Sequence, residues 1–318
     1  ITGTDRVLHA GAFNWTYTLG TGLTDPWAND ATAIVYTGPR DAGIWPGLIR
    51  DTEATIFAAV PGLYRQILKY APPGPIDVGT LRHGLTAGET LPAFVAEEWH
   101  DLTGTELHEA LGMSELSTYI SACPERPAKS GTVGKPQDGR CIAILPADGG
   151  TDPLPPGETG LLAVHRSDPA LMLDYWHRPD ETERVFRGDW FCGGDLASID
   201  EEGFVTHHGR ADDLMNAFGY RVSPMEVEQA LRSCSGVNDV AVTEINVRDG
   251  VNIIAAFVMT DTPNETLRTA INAQASAHLA DYKRPKDIFF VDALPRTANG
   301  KVRRSDLQSI YDAQKAPA

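Results

Sequence analysis

The stretch from Gly209 to Glu228 constrains this chain more than any other. It opens as a charged link that carries Arg210, Asp212 and Asp213 and is bounded by Gly209 and Gly219. It closes as the start of a helix. Ser223 stands where an N-cap belongs, and Pro224 fits the first helical position, where a missing N–H costs nothing. Glu226 follows Ser223 by three residues, so the three together predict a capping box. Read alone, the charged link is equally a solvated connector or a junction between two folded parts.

Size allows either reading. The 318 residues are 42% hydrophobic, which suits one large or two ordinary domains with real cores. Lysine plus arginine total 27 against 43 aspartate plus glutamate, a net charge of −16. That balance argues against a nucleic-acid backbone as partner and leaves room for a local basic pocket for phosphates. Cys123, Cys141, Cys192 and Cys234 are scattered, with no CxxC pair. Neither a zinc site nor a disulfide framework is expected, and a reducing cytoplasm is the simplest setting. No apolar run approaches membrane-spanning length, and no signal peptide is visible. Ile1 is not a methionine, so the natural start is expected elsewhere.

Along the chain, Val7 to Trp27 is rich in glycine and aromatic rings, which by themselves read as an aromatic core under a flexible turn. Alternating α/β material follows. Thr55 to Val60 is a short apolar run ended by Pro61 and Gly62, after which Leu63, Tyr64, Ile67 and Leu68 recur at helical spacing. Leu81 to Thr86 predicts a buried strand, Phe94, Val95 and Trp99 a helix, and Thr105 to Leu111 another strand. This order predicts a parallel sheet with helical crossovers, in which ligands gather at the carboxyl ends of the strands. Ala87-Gly88-Glu89 and Gly112 to Glu115 fall at such ends. From Gly131 to Asp200 short apolar runs alternate with turn residues and predict a small antiparallel, barrel-like portion.

A separate α+β unit is expected after Gly219. Its first helix turns Val227, Ala230 and Leu231 inward. Val240 to Val247 and Val251 to Met259 flank Asp249-Gly250, a hairpin signal. Leu267, Ala270, Ile271, Ala275 and Leu279 form one helix face, and Ile288 to Val291 reads as a strand. A turn at Asn299-Gly300 lifts Lys301 to its edge. By itself such a lysine reads as a solvated surface residue.

Five stretches carry a family resemblance. They are Gly112-Met113-Ser114-Glu115; Gly157-Glu158 to Gly160 with Asp174-Tyr175-Trp176; Trp190 to Asp195; Gly209 to Glu228; and Pro295 to Lys301. In their order and spacing they resemble the signature blocks of the adenylate-forming superfamily, which includes acyl-CoA synthetases, aryl-CoA ligases, luciferases and peptide-synthetase adenylation domains. The Val7–Trp27 block is most similar to benzoate-type and medium-chain acyl-CoA ligases. The resemblance implies an α/β and α+β fold. Residues 1–211 are then the later part of a large domain with parallel-sheet and small barrel-like portions, and residues 212–318 a small mobile C-terminal domain.

It also implies an ATP-dependent carboxylate–CoA ligase that acts on an aromatic or medium-chain acid. A carboxylate attacks the α-phosphate of ATP to give acyl-adenylate and pyrophosphate, and the thiol of coenzyme A then displaces AMP. The first step masses negative charge around phosphorus, so cations must stand where it develops. By resemblance, Lys301 contacts the carboxylate and phosphate oxygens, Ser114 the α-phosphate, and Glu115 magnesium, a hard cation wanting oxygen ligands. Asp195 and Arg210 are the implied ribose contacts, and Gly88 and Glu89 border the adenine. Asp212 is the implied hinge and Gly219 lines the implied coenzyme A tunnel. Trp15, Ala87 and Gly112 are the implied acyl-pocket residues. The expected partners are the small carboxylate, ATP with Mg2+, and coenzyme A, with a second copy of the chain as the candidate macromolecular partner. Read singly, Asp195 caps a turn after Gly194, and Arg210 pairs with Asp212 or Asp213.

The departures bear on these expectations. Ser114 keeps the hydroxyl of the usual threonine. Leu111 stands where many members stack a tyrosine on adenine, and Gly193 where threonine is common. No phosphate-binding loop rich in Ser, Thr and Gly lies between Ile1 and Asp30. The chain is therefore expected to be the later part of a synthetase. The alternatives are an adenylation domain that loads a carrier protein and a truncated, non-catalytic fragment.

Overall fold

The computed structural model describes residues 1–39, 41–217, 220–248, 251–297 and 301–315. The hairpin signal Asp249-Gly250 and the turn at Asn299-Gly300 lie outside the described residues, as does Gly219. The chain forms two compact units, one of residues 1–193 with 197–207, the other of residues 194–196 with 208–318.

The first unit is built on a seven-stranded sheet. In chain order its strands are β1 (Arg6–His9), β2 (Thr32–Ile34), β3 (Ile56–Ala59), β4 (His83–Ala87), β5 (Glu106–Met113), β6 (Ser117–Ser121) and β7 (Lys135–Pro136). Their order in the sheet is β2-β1-β3-β4-β5-β6-β7. The first five run parallel, and β6 and β7 pair antiparallel. All of β3 is buried, as a strand covered on both faces requires. The apolar spacing noted above forms the helices Pro61–Tyr70 and Ala93–Thr103. They turn Tyr64, Ile67, Leu68, Val95 and Trp99 into a core with Trp45 and Phe57. The rings of Trp45, Phe57, Tyr64 and Trp99 form a chain of neighbours 4.8 to 5.6 Å apart. The polar ends of two rings are satisfied: the Tyr64 hydroxyl donates to the Phe57 carbonyl and the Trp99 indole N–H to Thr105 Oγ1.

Because β1 lies between β2 and β3, the chain winds outward in both directions from it. The point where strand order reverses is thus at the carboxyl ends of β1 and β3, the usual ligand crevice of such sheets. The segment that leaves β1 there carries Trp15 and Tyr17.

A second sheet contains β8 (Ile142–Leu145), β9 (Gly160–His165), β10 (Phe186–Arg187) and β11 (Trp190–Ile199) in the order β10-β11-β9-β8, with β12 (Val205–Arg210) on β11. Its Ile144, Leu162, Val164 and Phe191 share a core with Leu116, Tyr119 and Ile120, so the turn after β5 is packed against it.

The second unit has the short ladder β13 (Met215–Ala217) with β14 (Tyr220–Val222), and a three-stranded sheet of β15 (Asp239–Arg248), β16 (Val251–Met259) and β17 (Asp287–Val291). The helices Pro224–Arg232 and Glu265–His278 bury Val227, Leu231, Leu267 and Ile271 on one face. The helix Leu307–Lys315 packs by Leu307 with Phe257 and Phe289 on the other.

Pro224 begins its helix as expected and Ser223 is its N-cap, but no capping box forms. The Ser223 hydroxyl donates instead to the His208 carbonyl at 2.8 Å, and the Glu226 carboxylate pairs with Lys283. A serine Oγ serves as a cap only while it points at the helix, and here a tertiary acceptor takes it.

Candidate active site

The carboxyl ends of the parallel strands bring three of the expected residues together. Ala87 closes β4 opposite Ala110 of β5, and packs with Tyr17, Ala58 and Trp15. Gly88 follows with φ +94°, a conformation that favours glycine, and a Cβ there would stand 3.0 Å from Trp15 Cη2. Trp15, Ala87 and Gly88 therefore form one wall. Tyr17 adds an edge-on ring 5.2 Å from Trp15, and His9 lies 4.6 Å beyond it. Burial pushes the His9 imidazole down to about 3. It is neutral at pH 7, and its Nδ1 accepts the Gly11 N–H at 2.9 Å. Glu89 is half-buried beside this wall in sequence. Glu109 of β5, bonded to the Leu91 backbone, is pushed up to about 8 by burial and so is largely protonated at pH 7.

The next strand end carries Gly112, Ser114 and Glu115. The ladder of β5 with β6 shifts register between Leu111 and Gly112. A Cβ at Gly112 would come within 2.7 Å of the Ser117 carbonyl oxygen. Close backbone approach across the turn is therefore what demands glycine at this position. Ser114 is exposed at the tip, and Glu115 is half-buried. Glu115 Oε1 accepts the Tyr175 hydroxyl at 2.7 Å, and the Glu115 carbonyl accepts the Met172 N–H at 2.7 Å. Arg140 braces the far side of the turn, donating to the Thr118 carbonyl and to buried Asp168.

In the second unit Asp195, Arg210 and Asp212 come together. Asp195 is 8% exposed. Arg210 reaches Asp212 by a two-pronged contact of 2.8 and 3.1 Å, and this holds the Asp212 carboxyl below its usual range. Asp195 adds its attraction to the Arg210 charge. The pairing weighed for Arg210 thus exists, and it joins the expected hinge residue to the expected ribose contact.

Lys301 stands in a short backbone pairing. The Thr297 N–H donates to the Lys301 carbonyl at 2.8 Å, and Arg296 bridges to Val302. Arg296 also reaches the buried Asp239 carboxylate at 2.6 Å, so this pairing is tied into the fold. Lys301 itself is exposed, and its ammonium has no partner among the described residues.

Sequence reasoning did not single out Tyr175, Asp239 or Arg296 as functional. Tyr175 sat inside a quoted block, Asp174-Tyr175-Trp176, but its partner Glu115 is sixty residues away. Arg296 lies inside the block from Pro295 to Lys301, and nothing in the spacing points to Asp239.

Among the described residues no group of three or more His, Cys, Asp or Glu side chains is placed to hold a metal ion. No helix among the described residues is long and apolar enough to cross a membrane.

Residues 1–176 match the AMP-binding enzyme family and residues 226–301 the AMP-binding enzyme C-terminal domain. The benzoate–CoA ligase of Thauera aromatica is 34% identical over 311 residues, 96% of this chain and 58% of the relative. A crystal structure of the anthranilate CoA ligase AuaEII with anthranoyl-AMP superposes with a TM-score of 0.89 at 30% identity, covering 98% of this chain and 60% of that one. A benzoate CoA ligase from Burkholderia xenovorans LB400 gives 0.86 at 32% identity, covering 97% and 62%. The chain thus spans between 51% and 59% of the length of the first curated relatives it matches. With both parts of the family matched in order, over residues 1–176 and 226–301, the chain belongs to the AMP-binding enzymes.

Proposed function

We propose that this chain is the later part of an ATP-dependent carboxylate–CoA ligase, with residues 1–211 from its large domain and 212–318 its small one. The observation that carries this reading is the Glu115 turn. Its carboxylate is held at the carboxyl end of β5 by one oxygen, and no hydrogen bond occupies the other among the described residues. A lone carboxylate with an available oxygen suits Mg2+ that arrives with ATP, because this ion keeps most of its coordination for phosphates and water. When bound with the nucleotide, the ion would neutralise charge on the phosphates.

The chain's own residues then divide the work. Ser114, exposed at the turn, donates to an α-phosphate oxygen. Lys301 supplies a cation to the anion that develops as the carboxylate attacks phosphorus, which lowers the barrier without bonding. Asp195 accepts from the ribose hydroxyls and Arg210 donates nearby, while Gly88 and Glu89 border the base. Asp212 absorbs the backbone change between the two half-reactions. Gly219 is assigned to the coenzyme A tunnel on the family resemblance alone. The wall of Trp15, Tyr17, Ala58 and Ala87 offers ring faces and small side chains, and so fits a flat apolar acyl group; the benzoate and anthranilate ligases to which the chain is similar support this. Gly112 contributes to that pocket through the turn it permits.

The test is a pair of assays on the full-length enzyme with benzoate, hydroxybenzoates, anthranilate and medium-chain acids. Acid-dependent pyrophosphate release, followed by an acyl-CoA product on adding coenzyme A, is the expected result. Pyrophosphate release with no thioester from coenzyme A would point to a carrier-bound thiol, and no release with any acid would refute the reading.

A further inference from the structure

Tyr175 lies on the connection after β9, and its hydroxyl donates to Glu115 Oε1 at 2.7 Å across sixty residues of sequence. Two neighbours make this contact specific. The Met172 N–H donates to the Glu115 carbonyl, so the same connection grips both the backbone and the side chain of one residue. The Tyr175 N–H in turn donates to Thr182 Oγ1 at 2.9 Å, and the Thr182 hydroxyl donates to the Arg178 carbonyl at 3.0 Å. A chain of hydrogen bonds therefore runs from the helix Pro179–Arg184 through Tyr175 to the Glu115 carboxylate.

A glutamate at a turn has three side-chain torsions to order before it can offer an oxygen to a cation. A phenol fixed from behind restricts that choice and polarises the carboxylate without competing for its second oxygen, as outer partners of metal ligands commonly do. We infer that Tyr175 is a positioning residue: it holds Glu115 in the rotamer that presents Oε2 to the divalent cation bound with ATP. This rests on the assignment of Glu115 given under the proposed function.

The experiment compares Tyr175→Phe, Thr182→Val and Glu115→Gln in the full-length enzyme. Mn2+ binding is read by electron paramagnetic resonance in the presence of a non-hydrolysable ATP analogue, with the melting temperature and thioester formation from supplied acyl-adenylate measured beside it. Tyr175→Phe keeps the ring and its packing. It is expected to weaken Mn2+ binding roughly 10-fold, the lower end of outer-partner effects, with the melting temperature and the thioester step unchanged. Thr182→Val, which removes the bonds to the Tyr175 N–H and the Arg178 carbonyl but leaves the phenol in place, should shift affinity in the same direction by less, and serves if Tyr175→Phe does not fold. Unchanged Mn2+ affinity in both variants, alongside a clear loss in Glu115→Gln, overturns the positioning role. Loss of metal binding and thioester formation together with a lower melting temperature shows a merely structural role and also overturns it. Unchanged affinity in Glu115→Gln refutes the metal assignment itself, and this inference with it.

Discussion

The first unit pairs buried Asp5 and Asp168 with Arg82 and Arg140, but unlike the second it also encloses titratable groups that have no ion partner among the described residues. Where the seven-stranded sheet encloses such groups without an ion partner, it keeps them neutral. Burial pushes His9 down to about 3, burial with neighbouring His108 pushes His83 to about 4, and burial raises Glu109 to about 8. The second unit keeps its buried carboxylates beside arginines. Glu228 lies 2.6 Å from Arg304 and 3.9 Å from Arg232, and Asp239 lies 2.6 Å from Arg296 and 3.7 Å from Arg232. Burial still pushes the Glu228 carboxyl up, against the pull of both arginines. A large parallel sheet with an apolar core can enclose a neutral imidazole at modest cost. A three-stranded sheet with helices on its faces has less apolar mass, and cross-linking by charge ties its loops to its strands. The backbone pairing at Lys301 is tied in that second way, through Arg296, whereas the Glu115 turn is held by hydrogen bonds to the Tyr175 hydroxyl and the Met172 N–H.

Three measurements would sharpen or break this contrast. The largest effect is expected from Lys301→Ala in the full-length enzyme. The side chain is exposed, so the fold should be unaffected, while adenylation falls by roughly 100- to 1,000-fold, as for loss of one positioned oxyanion donor. Single-turnover assays begun from ATP and acid, and separately from acyl-adenylate and coenzyme A, check this. Equal slowing of both would end the assignment of Lys301 to the first step alone.

The second concerns stability. Arg296→Met removes the nearer partner of a carboxylate that is 3% exposed, and should destabilise the second unit by about 3 kcal/mol. Urea unfolding monitored by circular dichroism reads it. A loss below about 0.5 kcal/mol would show that Arg232 alone suffices and that the charged cross-link is dispensable.

The smallest is a pH effect in the first unit. Glu109 keeps its proton to about pH 8 when folded, whereas its ordinary value is 4.5. Between these values the folded state binds more protons than the unfolded one, so this group makes stability fall as pH rises through the window. Glu109→Gln should flatten that fall, so that the melting-temperature difference between pH 5 and pH 8.5 shrinks relative to the parent. An identical pH dependence in the two proteins would mean that Glu109 is ionised in the fold and that the sheet interior does accept a lone charge.

Much of the architecture was legible because its signals are local. Pro61 and Pro224 each opened a helix, and the spacing of Leu63, Tyr64, Ile67 and Leu68 marked a buried face. The apolar runs at Ile56 and Val251 became strands. The roles expected of Ser114, Asp195 and Lys301 came only through the resemblance of ordered blocks, since none of them alone carries a distinctive pattern, whereas Ala87-Gly88-Glu89 and Gly112 to Glu115 also stood out at the carboxyl ends of predicted strands. Where a local rule failed, at Ser223, a distant acceptor took the hydroxyl the rule had assigned to the helix.

What the sequence determined by itself, then, is the order of the elements it marked from Thr55 onward and the family to which the chain belongs, because periodicity, turn residues and motif order are properties of neighbouring positions; the strands Arg6–His9 and Thr32–Ile34 and the helix Leu307–Lys315 were not read from it. The tertiary structure alone decided which side chains hold the candidate site in place. Tyr175 meets Glu115 across sixty residues and Arg296 meets Asp239 across fifty-seven. Such pairs are set by how strands and loops fold back in space. One hydrogen bond or ion pair leaves no mark on the periodicity of the residues that form it.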